Sequence, residues 1–136
     1  MKFVKLSHSA HIPTRGTKGS AGYDFYAPTD CTIKPGEQLL IPTGVAWTGC
    51  PDYLVGILKD RSSMAHKKKC HTLAGVIDSD YDKKNIGFIL RNFGPEPVNI
   101  KAGTRIGQMV IMQRFLVDND YVVEETREGG YGSTGE

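Results

Sequence analysis

The chain has 136 residues, 39% of them apolar and 24% charged, which suits one globular domain and argues against disorder. Seventeen Lys and Arg against fifteen Asp and Glu leave a formal charge of +2, too slight a bias to indicate nucleic acid or a membrane as partner. Three cysteines without a CxxC argue against a disulfide framework, and neither an apolar run near the roughly 18 residues of a membrane span nor a signal peptide is present, so an intracellular protein, cytoplasmic or nuclear and not secreted, is expected.

Short runs rich in Val, Ile, Leu, Phe and Tyr alternate with Pro and Gly along the whole chain, the pattern of an all-β sandwich, barrel or jelly roll. In chain order, strands are expected over residues 2–6, 32–33, 38–41, 44–48, 53–58, 70–77, 86–92, 98–100, 105–115 and 121–124. Lys34-Pro-Gly-Glu37 and Lys101-Ala-Gly-Thr104 read as turns between strands. One short helix is expected within residues 60–69, which begin with cap-type residues and end in cations. The Gly-rich end has too little apolar surface to fold alone. The expected organisation is a β domain over residues 1–126 and an arm over 127–136, ordered by a ligand or another subunit.

Five segments carry chemistry. Ala74-Gly-Val-Ile-Asp-Ser-Asp-Tyr81 runs small and apolar residues into two acids and an aromatic ring. If the strand continues through Asp80, Asp78 and Asp80 share a face, which suits a general base beside a metal or a sugar hydroxyl. The plain alternative is an Asx-type turn. Asp60-Arg61-Ser62-Ser63 puts a guanidinium and two hydroxyls at a helix start, which favours an anion; simple N-capping is the alternative. In the tail, Arg127 precedes Gly129-Gly-Tyr131-Gly132-Ser133, offering backbone N–H groups and charge to phosphate and a ring to a base. Ala21-Gly-Tyr-Asp24 places an acid after a Gly-aromatic turn. Arg105-Ile-Gly-Gln108 puts an amide inside an apolar strand, where it needs a partner.

Taken in order, AGYD, RSS, GVIDSDY, RIGQ and GGYGSTG resemble the five motifs of the homotrimeric deoxyuridine triphosphatases (dUTPases), and the match covers nearly the whole chain. The resemblance implies a distorted jelly-roll (β-clip-like) fold, three identical subunits, and active sites at their interfaces, each closed by a C-terminal arm. The implied reaction is Mg²⁺-dependent hydrolysis of dUTP to dUMP and pyrophosphate, which limits uracil in DNA and supplies dUMP for thymidylate synthesis. By similarity Asp78 is the base that activates water for attack on the α-phosphorus. Tyr81 packs under the deoxyribose, and backbone around Leu73, Ala74 and Gly75 reads the uracil edge, with Val76, Ile77 and Asp80 also substrate-binding. Arg61, Ser62, Ser63 and Gln108 take the phosphates. Asp24 holds Mg²⁺ through water, Arg127 clamps the γ-phosphate, and Tyr131, Gly132 and Ser133 close over the base and phosphates.

The pattern departs from the family in three places. The turn continues Asp80-Tyr-Asp-Lys-Lys-Asn85 without the usual Gly, so Asp82 or Asn85 is expected to supply its left-handed position. Only Glu128 separates Arg127 from the Gly pair. Asp60 stands where Pro or Gly is usual, and it is expected to orient Arg61. The rival readings are a dCTP deaminase of the same fold and a binding or signalling protein that meets a regulatory partner through Lys67–Lys69 and the loop at Asp82 to Asn85.

Overall fold

The structure, a computed structural model, describes residues 1–125, 127 and 129. Among the described residues, eleven strands and one helical turn follow one another: β1 (Lys2–Lys5), β2 (Gly22–Tyr26), β3 (Cys31–Ile33), β4 (Gln38–Pro42), β5 (Val45–Thr48), β6 (Leu54–Lys59), α1 (Ser62–His66), β7 (Cys70–Leu73), β8 (Val76–Ile77), β9 (Gly87–Asn92), β10 (Val98–Ile100) and β11 (Arg105–Gln113). All ladders are antiparallel. Two larger sheets run β2-β11-β6-β8 and β4-β9-β7, and β1-β5 and β3-β10 form separate two-stranded pairs. This is the distorted jelly roll expected of the sequence.

The two larger sheets meet over a core of Phe25, Trp47, Phe88, Leu90, Ile106 and Met109, all buried. Phe25 of β2 meets Phe88 of β9 across the sheets, with ring centroids 5.4 Å apart. Gly107 of β11 lies so close beneath the Phe88 ring that any Cβ would collide with it. Losing a ring of this kind costs about 3–5 kcal/mol. The turns at Lys34 and Lys101 form as expected: Glu37 N–H donates to the Lys34 carbonyl (2.9 Å) and Thr104 N–H to that of Lys101 (3.0 Å). Gly36 and Gly103 supply the positive φ that each turn requires.

Several expectations change. Residues 70–77 are not one strand. Ala74 (φ 57°) and Gly75 (φ 107°) are both left-handed, and there the chain leaves one sheet for the other. β7 pairs with β9, whereas β8 pairs with β6. Gly22–Tyr26 is a strand rather than a turn, paired along β11. Residues 121–124 form no strand, and Tyr121 and Val123 are each 85% exposed. The helix is a single turn of five residues whose N-cap, Arg61, makes no side-chain cap. Its dipole is too short to hold an anion by itself, so any affinity there rests on side chains.

Candidate active site

The sheet switch builds the site. With Ala74 and Gly75 left-handed, the Gly75 carbonyl turns toward β6 and accepts the Leu58 N–H (2.7 Å). Two residues later β8 ends, and the chain reverses at once: Tyr81 N–H donates to the Asp78 carbonyl (3.0 Å), closing a β-turn. The two acids therefore sit on a turn and not along one strand face. They still converge, because one guanidinium reaches both. Arg127 Nε lies 2.8 Å from Asp80 Oδ1, and its Nη2 bonds Asp78 Oδ2. Hydrogen bonding to Asp80, against a smaller opposing effect of burial, pushes the Arg127 pKa further above its already high value, so it is fully charged. Its guanidinium also stands 5.9 Å above the Tyr81 ring.

Beside this turn lies a cavity of about 500 Å³. Leu73, Ala74, Gly75, Val76, Ile77, Asp78, Tyr81 and Arg127 line it, all of them singled out in the sequence. Leu58, Gly87 and Ile89 complete the wall and were not anticipated. Ile89 faces Leu73 in the β7-β9 ladder, so only knowledge of the strand pairing could have found it. The walls are mostly apolar, with Asp78 and Arg127 as their charged residues, which suits a flat, weakly polar ring with few edge contacts. The Tyr81 ring is buried, and its hydroxyl donates to the Asn85 carbonyl (3.0 Å), so the ring is fixed before any ligand arrives.

The loop after Tyr81 does not use Asp82 or Asn85 for its left-handed residue. Lys83 takes that position (φ 59°). Asp82 and Asn85 act as staples instead: Asp82 Oδ1 accepts Gly49 N–H and Asn85 Oδ1 accepts Gly44 N–H, both at 3.0 Å.

The remaining predicted residues form a second group. Across the sheet, Asp24 of β2, Gln108 of β11 and Lys59 of β6 are in register. Arg61 Nε donates to Asp24 Oδ1 (3.2 Å), and Arg61 Nη1 reaches Ser63 Oγ (3.5 Å). Arg105 lies 3.7 Å from the other Asp24 oxygen. Gln108 finds its partner in the Asp60 carbonyl (2.9 Å). The Asp60 carboxylate does not pair with the Arg61 guanidinium, which turns to Asp24 and Ser63; it accepts the Thr72 N–H and lies 3.0 Å from His71 Nδ1. None of Asp24, Arg61, Ser62, Ser63 and Gln108 lines the cavity beside Asp78. Tyr131, Gly132 and Ser133 lie outside the described residues. Among the described residues, no three of His, Cys, Asp or Glu converge as metal ligands, and no helix is long and apolar enough to cross a membrane.

The dUTPase family model matches residues 8–135. The chain is 38% identical to the human mitochondrial deoxyuridine 5'-triphosphate nucleotidohydrolase over 99% of its own length, and it spans about half of that relative, 54%. It is 38% identical to the enzyme of the same name from mouse, covering 85% of it, and 38% identical to that of vaccinia virus (strain Copenhagen), covering 92%. Among solved structures it resembles the Staphylococcus bacteriophage 80alpha dUTPase with dUPNHPP, at TM-score 0.81 and 27% identity over 99% of this chain and 98% of that one. It also resembles a mutant dUTPase from phage phi11 of S. aureus whose structure holds a structural Mg(II) ion, at TM-score 0.81 and 25% identity over 90% of this chain and 96% of that one. The chain belongs to the dUTPase family.

Proposed function

We propose that this chain is a dUTP diphosphatase that hydrolyses dUTP to dUMP and pyrophosphate. One observation carries the reading beyond family membership. The cavity is lined by Leu73 to Ile77 together with Asp78 and Tyr81. The walls would take the uracil edge through main-chain amides, and the tight turn would exclude the methyl group of thymine. The fixed Tyr81 ring would form the floor under the deoxyribose and exclude a 2'-hydroxyl sterically.

In this reading Asp78 accepts the proton of the attacking water and touches the sugar 3'-hydroxyl. General-base catalysis of this kind contributes about 10²–10⁴-fold. One of its oxygens, Oδ2, bonds Arg127 in the structure, and a bound triphosphate would compete for that guanidinium. Arg127 would then hold the γ-phosphate, with Arg61, Ser62, Ser63 and Gln108 on the rest of the chain of phosphates. Tyr131, Gly132 and Ser133 would close over the nucleotide.

Mg²⁺ would supply charge neutralisation on the triphosphate when bound. The donor set fits an ion carried by phosphate oxygens, because that ion keeps several waters and needs no protein cage. Asp24, with its oxygens turned to Arg61 and Arg105, would reach only those waters. Three copies of the chain are the proposed assembly.

Pyrophosphate release from dUTP tests the reading. The wild type should turn over dUTP far better than UTP, dTTP or dCTP. Asp78→Asn should lose about 10²–10⁴-fold in kcat with little change in dUTP affinity. Ammonia release from dCTP, or undiminished turnover by Asp78→Asn, would refute it.

A further inference from the structure

Asp60 occupies the corner where β6 hands over to α1, directly before Arg61. Three polar connections meet at this one residue. Its Oδ1 accepts the N–H of Thr72, and its Oδ2 lies 3.0 Å from Nδ1 of His71. Its carbonyl accepts Gln108 Nε2 at 2.9 Å. Thr72 and His71 belong to β7, an edge strand of the β4-β9-β7 sheet, whereas Gln108 lies in β11 of the other sheet. One residue thus ties both sheets together at the root of the Arg61–Ser63 segment.

The chemistry suits a carboxylate. The Thr72 N–H that Asp60 takes would otherwise be an open donor on an edge strand. Burial pushes the Asp60 carboxyl up, but the hydrogen bonds from Thr72 and His71 outweigh it and hold the group below the usual carboxylate range. The His71 ring is held from its other side. It packs edge-on against Phe93 (centroids 5.5 Å apart), and Arg91, the registered partner of His71 on β9, lies over the same Phe93 ring at 5.3 Å. Asp60 therefore holds a ring that is also packed on Phe93.

We propose that Asp60 is a positioning residue for the phosphate-binding segment: through His71 and the Thr72 N–H it anchors the strand-to-helix corner that aims Arg61, Ser62 and Ser63. This rests on the nucleotide reading above. Asp60 touches no substrate in it, and acts through the three residues that follow.

The experiment is calorimetric titration with deoxyuridine, dUMP and the non-hydrolysable α,β-imido analogue of dUTP. The proteins are wild type, Asp60→Ala, Asp60→Asn and His71→Ala, each checked for its thermal midpoint. Asp60→Ala should weaken the triphosphate analogue by about tenfold or more, and deoxyuridine by less than about twofold. Asp60→Asn keeps an oxygen for the Thr72 N–H and should recover most of the loss, which guards against misfolding of the alanine variant. His71→Ala should fall between the two. In an Arg61→Ala background, Asp60→Ala should cost less than about twofold, because both then act on one interaction. Equal losses for all three ligands, or triphosphate affinity unchanged in Asp60→Ala, would overturn the proposal while leaving the nucleotide reading intact. A wild type that binds none of the three ligands would overturn that reading, and this proposal with it.

Discussion

Gly75 meets two demands at once. Its φ of 107° is a conformation that side-chain-bearing residues rarely adopt, and a Cβ there would stand 2.8 Å from the Leu58 Cβ. The same residue gives its carbonyl to Leu58 N–H and lines the cavity. Gly75→Ala should therefore cost about 2–3 kcal/mol in urea denaturation and raise the KM for dUTP, because strain and overpacking add. Ala74 is left-handed too, at φ 57°, but is exposed. Ala74→Gly should cost nothing, and should stabilise by up to about 1 kcal/mol by removing the left-handed penalty. Similar losses from both substitutions would show that the crowding at Leu58 is not what makes Gly75 necessary.

The loop after Tyr81 shows how one element replaces a missing glycine. Lys83 accepts the left-handed conformation, and its N–H donates to the Trp47 carbonyl (2.9 Å). Asp82 and Asn85 hold the loop to the two ends of β5. The Asn85 bond is the more buried of the two, so Asn85→Ala should cost about 1–2 kcal/mol and Asp82→Ala less than about 1 kcal/mol. Thermal denaturation of both variants checks the order, and equal effects would refute it. Sequence patterning could identify β9 and β11 from the apolar runs Phe88 to Leu90 and Met109 to Met112, and the turn motifs at Lys34 and Lys101. It could not identify β2, because Gly22 and Asp24 look like turn residues. Gly22 is small because Gln108 fills the space above it, and Asp24 is polar because Arg61 and Arg105 face it. Both reasons lie in other strands. The break in residues 70–77 was hidden likewise: Ala74 carries no mark of a left-handed residue, and the switch between sheets appears only once β7 and β8 have partners. The acids were legible as a pair, but their convergence on Arg127 depends on the turn and not on strand alternation.

At the scale of the whole molecule, the proposed reading needs two groups of residues that do not share one cavity. Asp78 and Tyr81 stand at one, while Asp24, Arg61, Ser62, Ser63 and Gln108 gather at the junction of β2, β11 and α1. The chain beyond β11 also leaves large apolar side chains uncovered: Phe115 is 87% exposed, with Leu116, Val117 and Val122 exposed beside it. Exposed apolar surface on that scale asks for a covering partner, and further copies of this chain are the partner proposed here. Subunit mixing tests this directly. Asp78→Asn and Arg61→Ala chains, each inactive or nearly so alone, are unfolded together at equal amounts and refolded as mixed assemblies. If each site draws Asp78 from one chain and Arg61 from another, random mixing unites two intact groups in about a quarter of the sites, and that fraction of wild-type dUTP turnover returns. If both groups serve the site of their own chain, no mixture can restore an intact site and turnover stays at the level of the separate variants. Recovery near a quarter would therefore establish both the assembly and the sharing of sites. Flat activity in demonstrably mixed trimers would place each site within a single chain.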